Sequence, residues 1–99
     1  MPIWKLEPVD PTADHWRGSK WVGTVFLRAK DELAARKMAQ SAYGIMAKML
    51  PGLEPLIPWL HERITTCEQA GDLEYDAEGP DDILGPEEAL NRTHPRPWD

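Results

Sequence analysis

The stretch WVGTVFLRAKDELAARKMAQSAYGIMAKML, residues 21–50, decides the fold of this chain. Its first part, residues 21–29, alternates in polarity with a period of two, which is typical of a strand with one buried face. We expect the more apolar face to pack against a helix. That face carries Trp21, Gly23, Val25, Leu27 and Ala29, whereas Val22, Thr24, Phe26 and Arg28 lie on the opposite face.

The rest of the stretch predicts a long helix. Asp31 offers a short acceptor side chain at the N-cap, and Glu32 places a negative charge in the first turn, where the helix dipole favours it. Apolar residues then recur at steps of three and four, as on a helix with one buried side. Because Pro51 cannot continue a helix, we expect the helix to end at Leu50. The apolar stripe consists of Ala35, Met38, Ala39, Ala42, Ile45, Met46 and Met49.

Weaker patterns flank this unit on both sides. Residues 2–9 alternate imperfectly and predict a strand, followed by a loop that reaches Lys20. Residues 51–60 contain three prolines, which excludes a helix or a central strand and predicts an irregular crossover. Residues 62–69 predict a third strand, because they include the β-branched Ile64, Thr65 and Thr66.

These elements predict an α+β fold. It is a two-layer sandwich in which one long helix covers one face of a three-stranded, mostly antiparallel sheet (β-β-α-β). The third strand lies beside the first, in the order 2-1-3, or beside the second, in the order 1-2-3 with a right-handed crossover. We favour the first arrangement. Either one leaves the second face of the sheet bare.

The charge divides the chain into two parts. Residues 1–70 hold nine basic and eight acidic residues, a net charge of +1, and we expect them to form the core domain. Residues 71–99 hold two basic and nine acidic residues, a net charge of −7, and predict an acidic tail rich in Pro and Gly, partly packed or flexible. Within this tail we expect Ile83 and Leu84 to fold back onto the body, followed by at most one helical turn at 87–91. A net-acidic chain argues against nucleic acid as a partner.

Cysteine use and hydropathy favour a cytoplasmic protein. The single Cys67 excludes an internal disulfide framework and fits a reducing compartment. No signal-peptide pattern opens the chain, and no apolar run approaches the ~20 residues of a membrane span. We therefore predict cytoplasmic localisation and no membrane partner.

No motif in the sequence assigns an enzymatic activity. His15, His61 and His94 are far apart in the chain, and none has a second ligand at metal-binding spacing. The acidic run from Glu74 lacks the glutamate that closes a calcium-binding loop, since Gly85 occupies that position. There is no glycine-rich phosphate loop and no nucleophile motif. The sequence thus predicts no catalytic residue, no metal ligand and no cofactor.

Several short segments together resemble a known group of proteins. They are IWKLEPVD (3–10), Trp16 with Ser19, RA and DELAARKMA within 28–39, CE (67–68) and EGPDDIL (78–84). In this order they resemble a group of small uncharacterised bacterial proteins over most of residues 3–84. The resemblance implies a cytoplasmic bacterial protein without an assigned activity, and it lends no functional residues.

We therefore predict a small protein-interaction module, with a homodimer through the open sheet face as one form of it. Five tryptophans are more than so small a core can bury completely, and the acidic tail offers a second contact surface. One alternative is an inhibitor or antitoxin-like protein whose acidic tail occupies the basic nucleic-acid-binding site of a target. The other is an undetected enzyme or small-ligand binder with a pocket between helix, crossover and loop. The candidate partner-contact residues are Trp16, Phe26, Arg28, Tyr75, Asp81 and Asp82.

Overall fold

The computed structural model describes residues 2–44, 57–70, 75–76 and 78–91, and the predicted α+β class is confirmed. Residues 71–74, 77 and 92–99 of the predicted acidic tail, and residues 51–56 of the predicted crossover, lie outside the described residues. In chain order the elements are β1 (Ile3–Pro8), a first 3₁₀ helix (Asp14–Gly18), β2 (Val25–Arg28), α1 (Glu32–Tyr43), a second 3₁₀ helix (Pro58–Leu60), β3 (Thr65–Ala70), β4 (Asp82–Gly85) and α2 (Glu87–Leu90).

The described strands form one antiparallel sheet in the order β3-β1-β2-β4. β1 lies between β2 and β3, as in the first of the two predicted arrangements. The prediction of three strands is wrong, because residues 82–85 pair with β2 and add a fourth. This strand leaves little trace in the sequence: it has four residues, and the register shifts opposite Phe26 and Leu27.

The core lies between α1 and one face of the sheet. The predicted inward face of β2 is confirmed, since Val25, Leu27 and Ala29 are fully buried. Ala35 and Ala39 of α1 are equally buried and belong to the same cluster. Small side chains on the helix allow it to lie close to the sheet, so the apolar areas of both elements leave water together.

The helix begins where predicted and ends earlier. The Asp31 carboxylate accepts a hydrogen bond from the Ala34 amide at 2.7 Å, which confirms the N-cap. α1 ends at Tyr43 instead of Leu50, because Gly44 is extended and forms an isolated bridge with Ser19. A Cβ at Gly44 would lie 2.5 Å from the Gln40 carbonyl oxygen, so this close packing requires glycine. The predicted helical residues 45–50 lie outside the described ones.

Candidate partner-contact site

A short segment crosses the second face of the sheet. We call residues 75–76 and 78–81 the strap. The ring of Tyr75 contacts that of Phe26, with centroids 5.2 Å apart and planes inclined by 37°. Ile3, on the same face as its neighbour Arg28, is only 2% exposed. The prediction of a bare second face is therefore wrong for the half of the sheet that carries Ile3, Phe26 and Arg28.

Arg28 fixes the strap to the sheet. Its Nε donates to the carbonyl oxygen of Pro80 at 2.6 Å, and its Nη1 donates to that of Asp76 at 2.7 Å. The planar guanidinium thus joins both ends of the strap, a geometry that a single ammonium group cannot reproduce. Both acceptors are neutral backbone groups.

Gly79 lets the strap approach this closely. Its φ is +123°, a conformation that side-chain-bearing residues rarely adopt. A Cβ at this position would also lie 2.8 Å from Nη2 of Arg28. Backbone freedom and space therefore both require glycine here.

The strap and the start of β4 present carboxylates to solvent. Asp76, Glu78, Asp81 and Asp82 are all exposed. Among the described residues none of the four takes part in an ion pair. Asp76 and Asp82 accept backbone amides of Glu78 and Ile83, both at 2.9 Å, which orders two of these side chains. The result is a partly ordered acidic surface whose carboxylates form no ion pair with a basic side chain of the described residues.

The other half of the second face is polar. Lys5 and Glu7 form an ion pair at 2.9 Å, and Thr24 donates a hydrogen bond to Glu7 at 3.5 Å. The hydrogen bond with Glu7, its charge and that of Glu68 raise the pKa of Lys5. Alternating charges of this kind suit a solvated surface.

Of the six predicted contact residues, the fold brings five together. Phe26 contacts Tyr75, Arg28 holds the carbonyl that precedes Asp81, and Asp82 is the cross-strand neighbour of Arg28. Sequence reasoning missed Asp76, Glu78 and Gly79, although Gly79-Pro80 and an arginine next to Phe26 on the same strand face were available signals.

The sixth residue, Trp16, lies elsewhere and is 3% exposed. Its ring packs edge-on against Trp59 at 4.9 Å, and Tyr43 contacts Trp59 at 5.6 Å. These three rings fill the space between loop, helix and second 3₁₀ helix. Among the described residues, neither the indole Nε1 of Trp16 nor the hydroxyl of Tyr43 has a hydrogen-bond partner, and burial raises the pKa of Tyr43.

Two histidines that the sequence separates are neighbours in the structure. The rings of His15 and His61 lie 5.4 Å apart in an edge-on arrangement, although the two residues are far apart in the chain. The Nδ1 atom of His61 accepts the Arg63 amide at 3.3 Å. Within the described part of the chain, no group of three or more His, Cys, Asp or Glu side chains is arranged to hold a metal ion.

No family model matches the chain, and no curated protein or solved structure matches it. None of the helices in the described ranges is both long and apolar enough to cross a membrane.

Proposed function

We propose that this chain is a small protein-interaction module that binds a basic surface of a partner protein through its acidic strap. The observation that carries the proposal is the choice of hydrogen-bond acceptors for the Arg28 guanidinium. Its hydrogen bonds go to two backbone carbonyls, so it orders the strap without pairing with any of the four nearby carboxylates.

A partly ordered acidic surface suits a protein partner for two reasons. Ordering the carboxylates before binding lowers the entropy that association must overcome. Unpaired charges of one sign also attract an oppositely charged surface and accelerate encounter. The described residues from 75 onwards include six acidic and no basic residues, so their negative charge outweighs the single positive charge of Arg28 at the strap.

The same geometry disfavours a homodimer through the open sheet face and a small-ligand pocket. A homodimer through Phe26 and Arg28 would have to displace the strap that already contacts both. A small-ligand pocket between helix, loop and crossover would compete with the rings of Trp16, Tyr43 and Trp59 for the same space.

One narrower function has specific support. A partner whose basic surface normally binds nucleic acid would be inhibited when the strap occupies that surface, since carboxylates then replace phosphates. The absence of basic side chains from residues 75–76 and 78–91 favours this inhibitor-like role.

Affinity capture from the native host tests the proposal. The wild-type chain is compared with D81N/D82N, which removes two exposed charges while an amide oxygen at residue 82 still accepts the Ile83 amide. The matched control D14N/E62Q removes two exposed charges outside the strap. We expect a basic protein to be retained by the wild type and by the control. Its affinity for D81N/D82N should fall by about two- to fivefold for each charge pair lost.

The salt dependence provides the second measurement. Binding through exposed carboxylates weakens as ionic strength rises, because the Debye length shortens from ~10 Å at 0.1 M to ~3 Å at 1 M. A captured protein that binds D81N/D82N and the wild type equally at every salt concentration would contradict the proposal. Added DNA or RNA that releases the partner would support the inhibitor-like role.

A further inference from the structure

The two outer strands of the sheet differ in how they are protected. β4 is four residues long, its register with β2 is shifted, Pro80 and Pro86 lie near its ends and α2 packs against it. These features prevent a further strand from adding to an edge. β3 has six residues, pairs with β1 without a shift and contains neither proline nor lysine. A strand of this kind is open to further pairing.

The register identifies which backbone groups of β3 face outward. The Val9 amide donates to the Ile64 carbonyl at 2.8 Å, so this pair is hydrogen-bonded across β1 and β3. Hydrogen-bonded pairs alternate along an antiparallel ladder, so Thr66, Glu68 and Ala70 bond to β1. The amides of Cys67 and Gln69 then point away from the sheet. Neither of them has a partner within the described ranges.

We infer that a second copy of this chain pairs with the outer edge of β3, antiparallel to it and around a two-fold axis at Cys67. The two sheets then become one continuous sheet of eight strands. This surface is separate from the strap on the β2–β4 side, so the inference does not depend on the proposed partner.

Three features select this register. It pairs residues 65–69 with residues 69–65 of the second copy, and it sets Glu68 opposite Thr66. Moving the two-fold axis by one residue, to Glu68, places Glu68 opposite Glu68 of the second copy, a like-charge contact that destabilises a sheet. A shift in the other direction leaves only residues 65–67 paired. At the chosen axis, the row of Val25, Leu6 and Cys67 on the helix side continues into the same row of the second copy.

The backbone groups at this axis are complementary. Each Cys67 amide donates to the carbonyl of the other Cys67, and each Gln69 amide donates to the carbonyl of Thr65 in the second copy. The Thr65 amide is not required, since it already donates to the His61 carbonyl at 3.0 Å. An interface of this size belongs to the weak and transient class.

Sedimentation equilibrium and amide hydrogen exchange test the inference on the unmodified chain. Over ~10 µM to ~1 mM protein, we expect the average mass to rise from monomer toward dimer by mass action. The Cys67 and Gln69 amides should exchange rapidly in dilute protein and become protected in the dimer, whereas Thr66 and Glu68 stay protected throughout. A different dimer surface would not produce this alternation.

A pair of variants isolates the edge. Gln69→Pro removes an outward amide and leaves the hydrogen bonds between β1 and β3 intact. Gln69→Thr keeps the amide and introduces a residue that is itself common in strands. We expect the proline variant to associate at least about tenfold more weakly than the threonine variant, a difference of ~1.4 kcal/mol. A wild-type chain that stays monomeric to ~1 mM overturns the inference. So does a dimer in which Cys67 and Gln69 exchange as rapidly as in the monomer.

Discussion

At the scale of single residues, Trp59 joins three parts of the chain. Its indole Nε1 donates to the Ser19 hydroxyl at 2.9 Å, and its amide donates to the Gln40 side chain at 3.3 Å. Its carbonyl accepts Nη1 of Arg36, also at 3.3 Å. All the polar groups of a fully buried tryptophan are therefore satisfied by the loop and by α1. The position of the second 3₁₀ helix depends on these bonds as well as on ring packing.

Replacement of Ser19 by alanine tests this dependence. The Ser19 hydroxyl accepts the Trp59 indole N–H and, at 3.3 Å, the Trp21 amide, and it donates to the Trp21 carbonyl at 2.6 Å. Ser19→Ala therefore removes the partner of three groups. Such groups cost about 1–3 kcal/mol when buried. We expect the free energy of unfolding, measured in urea, to fall by that amount. Ser41→Ala, on the exposed side of α1, should change it by less than about 0.5 kcal/mol. Equal stability of the two variants would contradict the role of Ser19.

Cys67 makes the stability of the fold depend on pH in the alkaline range. Burial raises the pKa of its thiol to about 11, partly opposed by the nearby Arg36 charge. Between its ordinary pKa of ~8.5 and about 11, the unfolded chain loses this proton while the folded chain keeps it. The stabilisation present below pH ~8.5 should therefore decline as the pH rises through this window.

Urea unfolding from pH 7 to 11 measures this decline. Cys67→Ala should flatten the curve up to about pH 10, because the thiol is gone. Above that pH the Tyr43 hydroxyl, whose pKa burial also raises, gives a decline of the same sign in both chains. In the wild-type chain, alkylation of Cys67 at pH 8 should be at least about tenfold slower than in the urea-unfolded chain, since the thiolate is the reactive form. Identical pH profiles for the variant and the wild type would show that the thiol does not titrate differently in the two states.

At the scale of elements, the strap is held by one arginine and one glycine. Arg28 supplies two hydrogen bonds, and Gly79 supplies the positive φ and the space for the guanidinium. Neither residue contributes to the apolar core between α1 and the sheet. The strap can therefore be loosened without unfolding the core.

Gly79→Ala should release the strap selectively. The new Cβ would clash with Arg28, and it would make the positive φ at this position unfavourable. Glu78→Ala, next to it, changes only an exposed side chain. We expect the strap of the Gly79 variant to be cleaved by protease several times faster, with the unfolding of the rest of the chain changed by less than about 1 kcal/mol. Cleavage at the same rate in both variants would mean that the glycine does not control the strap.

The sequence predicts these elements unequally. The N-cap at Asp31 and the inward face of β2 were predictable because both follow from local chemistry and periodicity. The end of α1 at Tyr43 was not, since it depends on the bridge between Gly44 and the distant Ser19. The strap was also missed: five of its contact residues could be named, but Arg28 and Asp76 are far apart in the chain and their contact has no local pattern.

At the scale of the whole molecule, the described residues of the acidic part, 75–76 and 78–91, pack against the sheet and α1. β4 extends the sheet, the strap covers Phe26, and Ala89 of α2 is fully buried in the same cluster as α1. The charge division at residue 70 follows composition alone.

Truncation tests whether the residues that follow residue 70 stabilise the fold. A chain of residues 1–91 retains every element that the structure describes and is the reference for the shorter chain. A chain of residues 1–70 loses β4, the strap and Ala89, and exposes Ile3 and Phe26 to water. The lost burial amounts to several kcal/mol, a large part of the ~5–15 kcal/mol that stabilises a typical domain. We therefore expect the shorter chain to melt at least ~10 °C lower or to fail to fold, as followed by circular dichroism. If residues 1–70 melted like the full chain, the acidic part would be an appendage, and its contacts with the sheet would carry no net stability.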